Sequence, residues 1–209
     1  RIFPAEHREF RSTIRLRHKL VQKRSSIKNE IHHILDSELF RLSSVLTDIF
    51  GKSGALIMKG ILNDMPVDEI LSLLPASVLK KEDALREVLE TTLSEGALAR
   101  LASCLRIIKT LNQEIAELTS ISTNYAITNF PREYEILKSV PGIGDITAVT
   151  LLAEIGDVKD FSTGDKLASW LGIVPRVYQS ADKLYTGSIT KRGSRLARWI
   201  LIQAAHAAV

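Results

Sequence analysis

The 209-residue chain contains a single cysteine, Cys104, set between apolar neighbours in a helical pattern. One cysteine builds no disulfide framework, so a reducing cytosol is its natural compartment. Aromatic residues make up only 6% of the chain, and Leu, Ile, Ala, Glu, Lys and Arg dominate, a mix that suits helices better than a β-sandwich. No apolar run approaches the ~18 residues of a membrane span, and the N-terminus does not read as a signal peptide. The five histidines have no metal-ligand spacing: His32 and His33 are adjacent and face different sides of a helix, and His206 stands alone. Acids Asp145, Glu154, Asp157 and Asp160 suit helix ends and caps better than a metal centre. An initiator methionine is also missing. The chain starts at Arg1 and stops at "QAAHAAV" in what reads as mid-helix, the expectation for a piece of a longer protein.

What is present is 45% apolar content, enough for one sizeable core or two small ones. The net charge of +4 matters less than its distribution. Arg8, Arg11, Arg15, Arg17, Lys19, Lys23, Arg24 and Lys28 face one nearby acid, Glu9. Near the other end Arg176, Lys183, Lys191, Arg192, Arg195 and Arg198 face only Asp182. Two separate basic zones on a near-balanced chain point to a polyanion gripped at two places.

Residues 7–50 lack proline and glycine, and Ile14, Val21, Leu35, Leu42 and Ile49 recur every seven positions. This predicts one long amphipathic helix with a coiled-coil-like seam. Arg17, Arg24 and Lys28 fall at inner positions of that seam, implying acidic side chains or phosphates as partners. "GKSGA" at 51–55 lacks the GxxxxGK[ST] spacing of a phosphate loop and reads as a C-cap and turn. Asp64-Met65-Pro66 reads as a helix cap, and Pro75 as the start of another short helix. A second long helix runs from about Glu95 to Tyr125, its stripe containing Asn112, either a register-setting residue or a rim one. The fold expected is all-α. A long antiparallel or coiled-coil helical arm over 1–125 serves as linker and oligomerisation element, so a homo-oligomer is expected. After the composition break "STNYAITNFPR", a small helical domain covers 126–209.

That second domain holds the most specific short motif, "LKSVPGIGDITAVTLLAEIGD" at 137–157. It reads as a helix-hairpin-helix, in which Gly142 and Gly144 let backbone amides approach a phosphate without reading sequence. An ordinary helix–helix turn is the alternative. "DFSTGDKLASWLGIVPR" gives a short helix capped by Ser162 or Thr163, with Asp165 in its first turn, Gly172 past its end, and Trp170 expected in the core rather than against a base. Lys191, Arg195 and Arg198 fall at i, i+4 and i+7, which places them on one face of a final helix behind a Ser/Thr-rich loop. With Lys183 and Arg192 they form a phosphate-binding surface. Arg15, Lys19, Lys23 and Arg24 form the corresponding RNA- or DNA-binding stretch of the arm. Serines in such a loop are ordinarily hydrogen-bond donors. Flanking guanidiniums would also stabilise the charge built up if one attacked a phosphorus.

The ordered series "SVPGIGDITAVTLLAEIGD", "KLASWLGIVPR", "QSADK" and "GSITKRGSRLARWILIQAA" resembles the C-terminal transposase domain of the IS one-ten transposases (insertion sequences one-ten, one-sixteen and nine-oh-two). Upstream, "RLRHKLVQKRSSIKNEIHHILD" and "DIFGKSG" are similar to the coiled-coil region of those proteins. The resemblance implies a DNA transposase that cuts and joins strands through a serine nucleophile, forming a phosphoserine link. It implies DNA and a structured bridge RNA as partners, and a cytoplasmic, prokaryotic and nucleoid-associated location. In the family a RuvC-like nuclease domain with a DEDD carboxylate set binds the divalent metal, expected to be magnesium. That domain has no counterpart in this sequence, so no cofactor is expected here and the piece by itself is expected to be inactive. The family's serine falls on Ser180, although Ala181-Asp182 stands where the family has glycines. Ser188 and Ser194 remain the alternatives. Without the resemblance, the same residues describe a non-catalytic nucleic-acid-binding and oligomerisation module.

Overall fold

The computed structural model describes residues 3–180 and 183–209, apart from the side chains of 178–180 and 183–184. The elements run α1 (Ala5–Ser37), α2 (Leu42–Val45), α3 (Lys52–Leu62), α4 (Val67–Ser72), α5 (Ala76–Leu79), α6 (Glu82–Leu89), α7 (Glu95–Asn129), α8 (Pro131–Lys138), α9 (Asp145–Ile155), a 3₁₀ turn (Val158–Asp160), α10 (Gly164–Leu171), β1 (Pro175–Ser180), β2 (Lys183–Ile189) and α11 (Arg195–Ala207). The fold is therefore predominantly all-α, with one two-stranded antiparallel sheet. No described helix is long and apolar enough to cross a membrane.

The predicted helix over 7–50 stops at Ser37. Phe40 N donates to Leu35 O (2.9 Å) and Leu39 N to Asp36 O (3.1 Å), while Leu39 takes φ +60°. This is a Schellman stop made without glycine, which is why the sequence hides it. Burial of Phe40 and Leu35 (1% and 2% exposed) offsets the left-handed Leu39. The segment "GKSGA" opens a helix rather than closing one: Gly51 is the N-cap of α3. A Cβ on Gly54 would lie 2.0 Å from Ile49 O, so glycine is needed there for close backbone approach. Pro66, not Asp64, is the N-cap of α4.

The chain divides into two compact units, Val21–Gln113 and the combination of Arg1–Leu20 with Glu114–Val209. Helices α1 and α7 each contribute a stretch to both. The composition break at 122–132 falls within the second of these units.

In the Val21–Gln113 unit, α1 and α7 run antiparallel: Arg24 Nη1 donates to Asn112 Oδ1 (2.8 Å), and Ser94 N and Oγ donate to the Glu38 carboxylate (3.0 and 2.9 Å). The short helices α2–α6 fill out a core built on Ile31, Leu35, Phe40, Leu42, Ile57, Leu85 and Leu101. The inner-seam cations find neutral partners here. Arg24 takes the Asn112 amide oxygen, and Lys28 Nζ sits 4.5 Å from the centre of the Phe50 ring.

The other unit packs the first part of α1 against α9 and the last part of α7. Phe10, Ile14, Ala126, Tyr134, Ala148, Val149, Leu152 and Ala153 form one cluster. Leu151, Ile155, Leu171, Ala197 and Ile200 form another between α9, α10 and α11. Arg17, an inner-seam cation of this unit, donates through Nε to Thr119 Oγ1 (2.7 Å).

Two local expectations change here. The Ser/Thr-rich loop is a β-hairpin in which Val177 pairs with Thr186 and Ser180 with Lys183. Its β-branched and aromatic residues suit a pleated surface. Lys191 is not on the final helix: it takes φ +57°, and α11 starts at Arg195 behind the N-cap Ser194.

Candidate nucleic-acid interface

Helices α8 and α9 are joined by Ser139–Gly144, as the proline and two glycines of the motif require. Gly142 has φ +83°, and a Cβ there would lie 2.2 Å from Ala204 O of α11. Its lack of a side chain therefore serves packing within the chain. Gly144 is the extended N-cap of α9, and a Cβ there would meet nothing within 4 Å. Beside it Asp145 accepts from Tyr134 Oη (2.6 Å) and pairs with Lys138 Nζ (2.5 Å). The bond from Lys138, then that from Tyr134, holds its carboxyl below the usual range. Burial, then the hydrogen bond to Asp145, raises the Tyr134 phenol.

Thr163 caps α10, accepting from Lys166 N, and Gly172 ends it in the left-handed region, as expected. Ile173 N returns to Ala168 O (3.1 Å), a second Schellman stop. The 191–193 loop lies directly on this end. Lys191 N donates to Gly172 O (3.0 Å), and a Cβ on Gly193 (φ +77°) would lie 2.1 Å from Trp170 O. Arg198 Nη1 locks the junction by donating to Leu171 O (2.9 Å) and Arg192 O (2.6 Å). Arg198 thus has a structural assignment. Trp170, expected in the core, is 36% exposed, with Phe161 edge-on against its ring (ring centres 5.5 Å apart).

At the heart of this unit lies one of the acids expected at helix ends, buried and holding a cluster that its place in the sequence did not indicate. Glu154 on α9 is 0% exposed and carries two guanidiniums from α1. Arg11 donates from Nε (3.0 Å) and Nη2 (2.7 Å) to Oε2; Arg15 donates from Nε (2.7 Å) to Oε1 and from Nη2 (3.0 Å) to Oε2. Burial pushes the Glu154 carboxyl up, but hydrogen bonds from Arg15, Arg11 and Ser194 together hold it below the ordinary range. One turn before Arg11, His7 Nε2 bonds Ala153 O (2.9 Å). The available signal was a single charged residue in the run "AVTLLAEI".

The basic residues therefore divide. Arg15 and Arg24 have partners within the chain, while Lys19 and Lys23 are exposed on α1. Lys191, Arg192 and Arg195 are exposed, and none forms an ion pair among the described residues. Ser194 is 8% exposed; its hydroxyl accepts from Ala197 N (3.1 Å), so it caps α11. Ser188 is exposed on β2. Ser180 ends β1 opposite Lys183, and both side chains lie outside the described residues. No three His, Cys, Asp or Glu side chains converge among the described residues.

Residues 134–209, from α8 through the basic loop to α11, match the family model of the IS116/IS110/IS902 transposases. This stretch is therefore similar to the transposase domain of that family. The chain is similar to the transposase for insertion sequence element IS1111A of Coxiella burnetii, with 24% identity over 97% of this chain and 47% of that protein. It is similar to a probable family 20 transposase of Pseudomonas aeruginosa, 42% identical over 35% of this chain and 22% of the relative. A third relative, the transposase for IS1328 of Yersinia enterocolitica, is 38% identical over 34% of the chain and 21% of that protein. The chain thus spans about half the length of the Coxiella relative. The matched region holds Glu154, the glycine turn, the hairpin and the exposed cations Lys191, Arg192 and Arg195.

Proposed function

We propose that this chain is the nucleic-acid-gripping part of an insertion-sequence transposase, a protein that cuts and rejoins DNA strands. The observation that carries the reading is the family match at 134–209, a region in which Lys191, Arg192 and Arg195 are exposed and unpaired by acids among the described residues. Three such cations beside a hairpin favour phosphates through charge and counterion release, without reading sequence. The open amides at the start of α9, next to Gly144, add a contact of the helix-hairpin-helix kind. Lys19 and Lys23 supply the second basic zone, suited to a structured RNA or a further stretch of DNA. The arm of long helices suits self-association.

Ser180 is the proposed nucleophile. Its Oγ would bond to a DNA phosphorus as a deoxyribose oxygen leaves; the seryl proton departs and the leaving oxygen gains one, giving a serine–phosphate ester. Ser194 does not suit that role, because its hydroxyl is buried and committed as a cap. The divalent metal implied by the family finds no fitting set among the described residues, since the buried carboxylate of Glu154 already holds two guanidiniums.

The test is a denaturing gel of labelled DNA trapped on the full-length transposase in magnesium. Ser180→Ala should abolish the covalent adduct while duplex affinity persists, and Ser188→Ala should retain it. An adduct that survives Ser180→Ala removes this serine from the chemistry. A wild-type chain whose duplex binding does not weaken with salt removes the phosphate grip.

A further inference from the structure

In the region that matches the transposase family, Lys166, Ser169, Trp170, Arg192 and Gly193 line an open cavity of about 470 Å³. That volume lies within the roughly 300–1,000 Å³ of small-molecule sites. Its chemistry is one-sided: two cations, a hydroxyl and an indole, with no acid in the lining. Lys166 and Trp170 stand one turn apart on α10, so the ammonium and the ring share a helix face. The site is also preformed. Phe161 buttresses the indole edge-on, Gly193 lies on the Trp170 carbonyl, and Arg198 fixes the Arg192 carbonyl at 2.6 Å.

We propose that this cavity is a subsite for one unpaired nucleotide, its base against Trp170 and its phosphate held by Lys166 and Arg192. The inference rests on the reading of this domain as a nucleic-acid grip, and deepens it by naming the form of nucleic acid taken. A base within a duplex is stacked on its neighbours and cannot reach a tryptophan in a cavity; an unpaired base offers its π-face freely. A planar base beside an anionic phosphate matches an indole beside two cations. A simple anion would leave the indole unused, and a neutral apolar ligand would leave the cations unused.

The chain has two tryptophans, Trp170 and Trp199, so Trp199→Phe makes Trp170 the sole indole reporter. That 209-residue variant is titrated with oligothymidylate, oligouridylate and a blunt duplex of equal length, following indole emission and fluorescence anisotropy together. Either single strand should quench Trp170, and the duplex should bind without quenching. The two single-strand arms show whether DNA, RNA or both supply the nucleotide. Trp170→Ala should weaken single-strand binding about tenfold and leave duplex binding unchanged. Lys166→Ala should lower the salt slope for single strands by about one. If circular dichroism shows Trp170→Ala unfolded, the quenching and Lys166→Ala results decide. Single strands that bind with unchanged Trp170 emission overturn the subsite and leave the duplex grip standing. A chain that binds neither form of nucleic acid overturns both.

Discussion

Arg15 Nε and Glu154 Oε1 meet at 2.7 Å across 139 positions of sequence, joining the first long helix to the interior of the region that matches the transposase family. Arg11 shares the same carboxylate. The side chain of Glu154 is wholly buried, whereas those of Arg11 and Arg15 are 24% and 49% exposed. Removing Arg11 takes away one of the two partners of a buried charge; stranding such a charge outright typically costs about 3–5 kcal/mol, and Arg15 still holds it here. Arg11→Met should therefore lower the unfolding free energy by up to that amount in urea titration. Arg15→Met should cost less, because water screens the more exposed group. Replacing all three together (Arg11→Met, Arg15→Met and Glu154→Leu) should recover most of the loss. A triple variant no more stable than Arg11→Met would show that the ion cluster is not what holds α1 to α9.

The same carboxylate sets an acid dependence. Its folded-state pKa is lowered, so its contribution is complete above the ordinary carboxylate range and fades as pH falls through the depressed value. Wild-type melting temperature should fall on acidification more steeply than that of Glu154→Gln, which has no proton to take up there. Parallel melting curves of the two proteins through the acid range would remove Glu154 as a source of acid sensitivity.

The two glycines of the α8–α9 turn should separate cleanly. Gly142→Ala meets a left-handed backbone and a carbonyl 2.2 Å from the new Cβ, so it should destabilise by more than about 1 kcal/mol. Gly144→Ala has extended backbone and open space, so thermal unfolding should change by less than about 0.5 kcal/mol. If Gly144→Ala weakens duplex binding at unchanged stability, the amides at the start of α9 contact the ligand.

Neighbouring arginines on α11 should also differ in kind. Arg198→Ala removes donors to Leu171 O and Arg192 O and should cost about 1–3 kcal/mol of stability. Arg195→Ala should leave stability alone, weaken duplex binding equally for all sequences, and lower the salt slope by about one. Equal melting temperatures for both variants would contradict the structural assignment of Arg198.

The sequence by itself determined the helical class, the two long helices, the cap and stop of α10, the glycine turn at 141–144, and the transposase motifs. These are local properties: periodicity, capping chemistry and backbone freedom act within a few residues, so they can be read along the chain. Only the tertiary structure decided where helix α1 ends, because burial of Phe40, not a glycine, offsets the left-handed Leu39. It likewise decided which cations remain free. Arg15, Arg17, Arg24 and Arg198 look like phosphate ligands in a linear reading, yet each has a partner brought near by folding. Lys191 fits a helical spacing but stands in a left-handed turn against α10, because the close approach of Gly193 to Trp170 fixes the loop there. A charge reports its sign in the sequence. Whether it faces solvent or a buried carboxylate depends on contacts between residues more than a hundred positions apart, as between Arg15 and Glu154.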